Sequence, residues 1–143
     1  MLKFVLKNIE SIKGRQMFYQ LVILNENSKY DKNQSEDELK GQFDLYEDSL
    51  EESYECALAS ILGIMDRVAN LNTVSKEKFK DITPSGDKTK EYEFKSGDLR
   101  VYGIKIPNGK LIILGGFKNK QKADIKKFRS LKKEYLQSIN STQ

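Results

Sequence analysis

The sequence predicts an α+β protein, in which a small antiparallel sheet packs against helices and a basic helix closes the chain. Three observations predict it. Apolar residues recur at three- and four-residue steps from Leu39 to Val68, strand-like alternation punctuated by tight turns fills residues 79–116, and a lysine-rich amphipathic stretch follows over residues 124–139. The 143 residues suit one domain, and 38% hydrophobic against 32% charged residues is the balance of a chain that can bury a core under a wet surface.

The elements follow in order. Leu2 to Lys7 and Met17 to Leu24 read as strands able to pair as a hairpin, since the Ile12 to Arg15 segment between them carries a turn-forming glycine. Residues 25–35, NENSKYDKNQS, are polar and read as a mobile loop. Ser35 or Asp37 can then cap a helix whose stripe runs Leu39, Phe43, Tyr46, Leu50, Tyr54, Leu58, Ile61, Met65 and Val68, as one long helix or two in series over residues 36–70. Residues 36–55 of it hold nine acidic side chains against Lys40 alone, a pattern expected of a solvated face. Cys56, beside Ala57, reads as a small buried hydrophobe.

Phe79 to Ile82 is a short extended piece, followed by turn-rich residues 83–87. Glu91 to Lys95 and Leu99 to Ile106 alternate on either side of a tight turn over Lys95-Ser-Gly-Asp98. Pro107-Asn108-Gly109 makes a second hairpin turn into the apolar strand Lys110 to Gly116. Asp124 can cap the last helix, whose Ile125, Phe128, Leu131, Tyr135 and Ile139 form an apolar stripe among lysines; Tyr135 therefore belongs to the core.

Composition excludes much chemistry. With no histidine and one cysteine, the usual zinc sites, histidine-based triads and internal disulfides are out of reach, and any reaction must run on Lys, Arg, Tyr, Glu, Asp or Ser. No cofactor motif and no metal site is expected, because Gly115-Gly116 lacks the spacing of a phosphate loop. Nothing is apolar for long enough to cross a membrane, and the amino terminus lacks a cleavage site, so the expected location is the cytoplasm.

Charge is unevenly divided. Residues 1–73 carry a net −5 and residues 74–143 a net +9, so the second half is the expected surface for a polyanion. Lys90, Lys95, Arg100, Lys105, Lys118, Lys120 and Lys122 fall on neighbouring strands and turns, with Lys126 on the helix that follows. Alternation puts Arg100 and Tyr102 on one strand face, a pairing suited to a phosphate and a stacked base.

The segment from Lys90 to Leu136 resembles the carboxyl-terminal half of the RelE/ParE superfamily of bacterial toxins, in particular the HigB-like, phage-derived branch. The resemblance rests on Leu99-Arg100-Val101-Tyr102 and Gly116-Phe117-Lys118-Asn119-Lys120, followed by a lysine-rich helix, with two helices before the sheet. It implies a RelE-like domain spanning residues 1–143 and the toxin of a type II toxin-antitoxin pair. Such a toxin is a metal-independent endoribonuclease that cuts mRNA on the ribosome and is silenced by a cognate antitoxin. Carried over by position, Arg100 stabilises the scissile phosphate and Lys118 and Lys120 position it or move protons during 2′-hydroxyl attack. Lys90, Lys95, Tyr102, Lys105, Lys122 and Lys126 are then the expected RNA contacts. Two other readings fit the same residues: a ParE-like or inactive relative that acts by binding protein, and a basic RNA-binding adaptor.

Overall fold

The computed structural model describes residues 3–24 and 39–140. The chain forms a six-stranded mixed sheet with helices on both faces. Strands β1 (Lys3–Asn8) and β2 (Met17–Leu24) come first, then helices α1 (Gln42–Ser49) and α2 (Glu55–Ala69) with a 3₁₀ turn, Glu52–Tyr54, between them. Strands β3 (Phe79–Asp81), β4 (Glu91–Ser96), β5 (Leu99–Ile106) and β6 (Gly109–Phe117) follow, and a second 3₁₀ turn, Lys118–Lys120, leads into α3 (Gln121–Asn140).

The strand order is β1-β2-β6-β5-β4-β3. All neighbours are antiparallel except β2 and β6, which run parallel with Met17 opposite Gly109. The sequence predicts a small antiparallel sheet, and this is the correction: the first hairpin docks on the last strand of the meander through a parallel pair, so both sets of strands join one sheet. The expected hairpins and the β4–β5–β6 meander are present. Gly97 has φ +54 in the two-residue β4–β5 turn, the left-handed conformation that favours glycine there. In the β5–β6 turn Asn108, with φ +68, takes that role after Pro107.

The helical stripe divides into two helices, because Leu50 and Glu51 adopt extended backbone and stop α1. The caps expected at Ser35 and Asp37, and the polar loop over residues 25–35, lie outside the described residues; α1 begins after Gly41, whose amide donates to the Asp44 carboxylate at 3.1 Å. Cys56 is exposed, not buried: the buried stripe of α2 passes through Ile61, Ile64, Met65 and Val68, and Cys56 falls off it. Helix α3 starts at Gln121, so Asp124 sits in its first turn and not at the cap.

Two cores result. Under α1 and α2, Phe18, Phe43, Ile61, Met65, Phe94, Val101 and Ile112 pack together. Under α3, Leu21, Tyr102, Ile104, Leu111, Ile113, Phe128 and Tyr135 do the same. Strands β5 and β6 are covered on both faces, which is why LIIL reads as an unbroken apolar run without alternation. A bulge helps to fill the second core: Tyr102 faces Leu114 while Gly103 faces Ile112, leaving Ile113 as the extra residue.

Candidate nucleic-acid interface

The end of the sheet where β4 turns into β5 and β6 leaves for α3 is built around two glycines. A side chain at Gly115 would run into the Tyr46 ring, and one at Gly116 into the Asp124 carboxylate, so the pair lets α1 and α3 close on β6 from opposite faces. The Tyr46 hydroxyl donates to the Gly116 carbonyl at 2.7 Å, and burial raises its pKa well above the usual tyrosine range, which keeps it a neutral donor. The Phe117 amide donates to Asp124 Oδ2 at 3.3 Å and the Lys118 amide to the Asp98 carbonyl at 2.8 Å. The Lys118–Lys120 turn is thus pinned to α3 on one side and to the β4–β5 hairpin on the other.

Arg100 and Tyr102 do share the face expected of them, but α3 covers that face. Arg100 is 8% exposed; its Nη1 donates to the carbonyls of Gly97 at 2.7 Å and Leu99 at 2.8 Å, and its buried Nε has no partner. Tyr102 is fully buried and stacks on Phe128 with centroids 5.6 Å apart. Its hydroxyl has no partner, and burial raises its pKa. The expectation that Tyr102 contacts RNA is therefore corrected: it is a core ring.

The remaining expected residues divide between the two ends of the sheet. Lys118, Lys120, Lys122 and Lys126 are exposed in the turn and the first half of α3, and among the described residues none of them has an ion pair or side-chain hydrogen bond. Lys95 is half-buried opposite Arg100 in the β4–β5 ladder, at the same end. Lys90 and Lys105 lie at the far end, where the Lys105 amide donates to the Lys90 carbonyl and Lys90 Nζ is 3.9 Å from Asp81. They do not join the group.

Two recesses meet on this surface. The first, of about 680 Å³, is lined by Tyr54, Asp98, Phe117, Lys118, Asn119 and Lys120. The second, of about 780 Å³, shares Lys118 and Asn119 and continues along α3 past Gln121, Lys122, Ile125, Lys126 and Arg129. Together they form one trough with an aromatic end and a cationic end. Tyr54 and Asp98 were not legible as site residues in the sequence, because only the pairing of β5 with β6, which places Leu99 opposite Phe117, brings the hairpin and the 52–54 turn beside the lysines. Among the described residues no cluster of three metal-ligating side chains occurs, and no helix is long and apolar enough to cross a membrane.

No protein-family model, curated protein or solved structure matches the chain.

Proposed function

We propose that the chain is a RelE/ParE-type toxin of the HigB-like branch, an endoribonuclease that cuts mRNA on the ribosome and is held silent by a cognate antitoxin. The observation that carries this reading is the trough, in which Lys118 and Lys120 lie beside two aromatic rings and continue into Lys122 and Lys126, none of the four paired among the described residues. Four lysines without a carboxylate partner among the described residues, set along one concave surface, suit a polyanion with exposed bases. After the β1–β2 hairpin, two helices, the antiparallel strands β3 to β6 and a basic helix follow in the order that the resemblance implies for its own part of the chain.

The chemistry asked of the site is modest. A ribose 2′-oxygen attacks the adjacent phosphorus, the bond from phosphorus to the 5′-oxygen breaks, and a 2′,3′-cyclic phosphate and a 5′-hydroxyl result. The 2′-hydroxyl proton passes to water, and a lysine ammonium protonates the departing oxygen. Lys118 and Lys120 supply the charge that the crowded phosphorane needs, with Lys122 and Lys126 holding the neighbouring phosphates. Arg100, with Nη1 committed to the hairpin carbonyls, holds the turn that carries Asp98.

One observation favours a second reading, a relative that binds without cutting: the burial of Arg100. Controlled expression in bacteria of the wild type beside Lys118→Ala/Lys120→Ala, with growth followed and mRNA ends mapped, separates the two. Growth arrest with new ends that disappear in the double variant is the expected result. Arrest without new ends points to a protein target, and no arrest to an RNA-binding adaptor; either outcome sinks the nuclease.

A further inference from the structure

We infer that the aromatic end of the trough is a pocket for one unpaired RNA base, that Tyr54 is its stacking platform, and that Asp98 selects guanine. The inference rests on reading the trough as an RNA surface, and it adds which base is taken and by which residues.

Tyr46, Phe117 and Tyr54 form an aromatic row, with Phe117 6.1 Å from Tyr46 and 5.4 Å from Tyr54. Tyr46 is the buried end of the row and Tyr54 the half-exposed end, so Tyr54 is backed by packed rings and keeps a face for a further one. It sits at the end of the 3₁₀ turn that separates α1 from α2, a position fixed by the Tyr54 amide donating to the Glu51 carbonyl at 2.9 Å. A rigid aromatic that loses little freedom on contact is what single-strand binding uses, since every base offers a π-face.

The recess carries charges of both signs. Lys118, Lys120 and Asp98 line it together, and the Asp98 carboxylate has no hydrogen bond or ion pair among the described residues. A carboxylate repels phosphate, so the strand must enter with its backbone on the lysines and its base toward Asp98. An ionised carboxylate only accepts hydrogen bonds. Guanine presents two adjacent donors on its Watson–Crick edge, N1–H and the 2-amino group, which a carboxylate accepts together. Uracil presents one N–H between two carbonyl oxygens that the same carboxylate repels. Adenine and cytosine, with one amino group each, fall between.

The backbone then has a path. Lys122 and Lys126 lie four residues apart on α3, a rise of about 6 Å, comparable to the separation of successive phosphates in an extended strand. One base enters the pocket and the next phosphates run along the helix.

The test uses the full chain and short oligouridylates with 2′-O-methyl riboses, which cannot be cut, carrying guanine, adenine, cytosine or uracil at one central position. Binding is read by fluorescence anisotropy. Guanine is expected to bind about tenfold more tightly than uracil. Tyr54→Ala lowers affinity for the guanine oligomer about tenfold while Tyr54→Phe retains it. Asp98→Ala brings the guanine-to-uracil ratio close to one without weakening the uracil oligomer, and its unchanged thermal midpoint shows that the fold is intact. Equal binding of the four bases, or full binding by Tyr54→Ala, overturns the inference. Because these strands resist cleavage, a guanine preference without mRNA cutting in cells sinks only the nuclease reading, and cutting without base preference sinks only the pocket.

Discussion

The two halves of α3 carry the same kind of side chain and use it in opposite ways. In the first half, Lys122 and Lys126 continue the row from Lys118 and Lys120, none of them paired among the described residues. Further along, Arg129 Nε lies 3.0 Å from Glu91, and Lys132 is buried, with Nζ 2.6 Å from Glu91 and 2.8 Å from Asp87. These contacts clip the 82–90 loop and β4 to the helix, helped by Arg129 Nη2 donating to the Ile82 carbonyl at 3.0 Å. The difference is set by the sheet beneath. Glu91 and Glu93 face α3, but Glu93 accepts from the Gln121 amide and holds none of the upper lysines. A basic helix is therefore not one feature: half of it is a fastener and half is a surface.

The sharpest way to break this comparison is to remove the fastener. Glu91→Ala leaves the Lys132 ammonium buried with only Asp87 and a carbonyl, and stability should fall by about 3–5 kcal/mol in urea unfolding. Glu91→Met/Lys132→Met, which removes both charges and keeps the volume, should recover most of that loss. If Glu91→Ala costs no more than a surface change, the lower half is no different from the upper.

The second test removes the surface. Lys118→Ala/Lys122→Ala/Lys126→Ala should leave the unfolding midpoint nearly unchanged, because no partner among the described residues is lost, while affinity for single-stranded RNA falls by about tenfold or more. The slope of log K against log salt should become shallower by about 2, at about 0.7 per released phosphate contact on a single strand. A stability loss without a change of slope would reverse the assignment of the two halves.

How much of this was legible in the sequence depends on the range of the interaction. The meander and its turns follow from local alternation, from Gly97 and from Pro107-Asn108, so they stand where the pattern puts them, and α3 starts about one turn earlier, at Gln121. The parallel β2–β6 pair joins residues some 90 positions apart by chain, and no local signal announces it. Alternation correctly put Arg100 and Tyr102 on one face, but it does not say whether that face is covered, and α3 covers it. Cys56 is a similar case: its neighbour Ala57 packs against the core while Cys56, one step round the helix, does not. The lysines could be read as a basic surface, while the split between fastener and trough could not, since it depends on which carboxylates β4 turns toward α3.

Tyr102 sharpens the comparison from the core side. Its unpartnered hydroxyl is desolvated with nothing in return, so Tyr102→Phe should hold or raise stability by up to about 1 kcal/mol and leave RNA affinity unchanged. Loss of RNA affinity in that variant would return Tyr102 to the binding surface.

The comparison extends to the acidic end of the chain, where one carboxylate also proves to be a fastener. Asp44 lies in the stretch expected to be a solvated acidic face, yet its Oδ2 is 2.8 Å from Lys7 Nζ and 3.1 Å from the Gly41 amide, and its Oδ1 accepts from Gln20 Nε2 at 3.1 Å. Its own amide donates back to Gln20 Oε1 at 2.9 Å, so α1 is tied to β1 and β2 through this one residue. Burial alone would raise its pKa, but the lysine, the backbone amide and the glutamine together outweigh burial and hold it below the usual carboxylate value. The sign follows: a depressed pKa means that the ionised form stabilises the fold above the unfolded value of about 3.9, and that this contribution disappears as pH falls through the folded value. Asp44→Asn should therefore lower stability at neutral pH by about 1–2 kcal/mol, and the gap to the wild type should close as unfolding is repeated at progressively lower pH toward 3. A gap that stays constant across that range would mean that the Asp44 charge does nothing, and that only the shape of the Gln20 contact holds α1 in place.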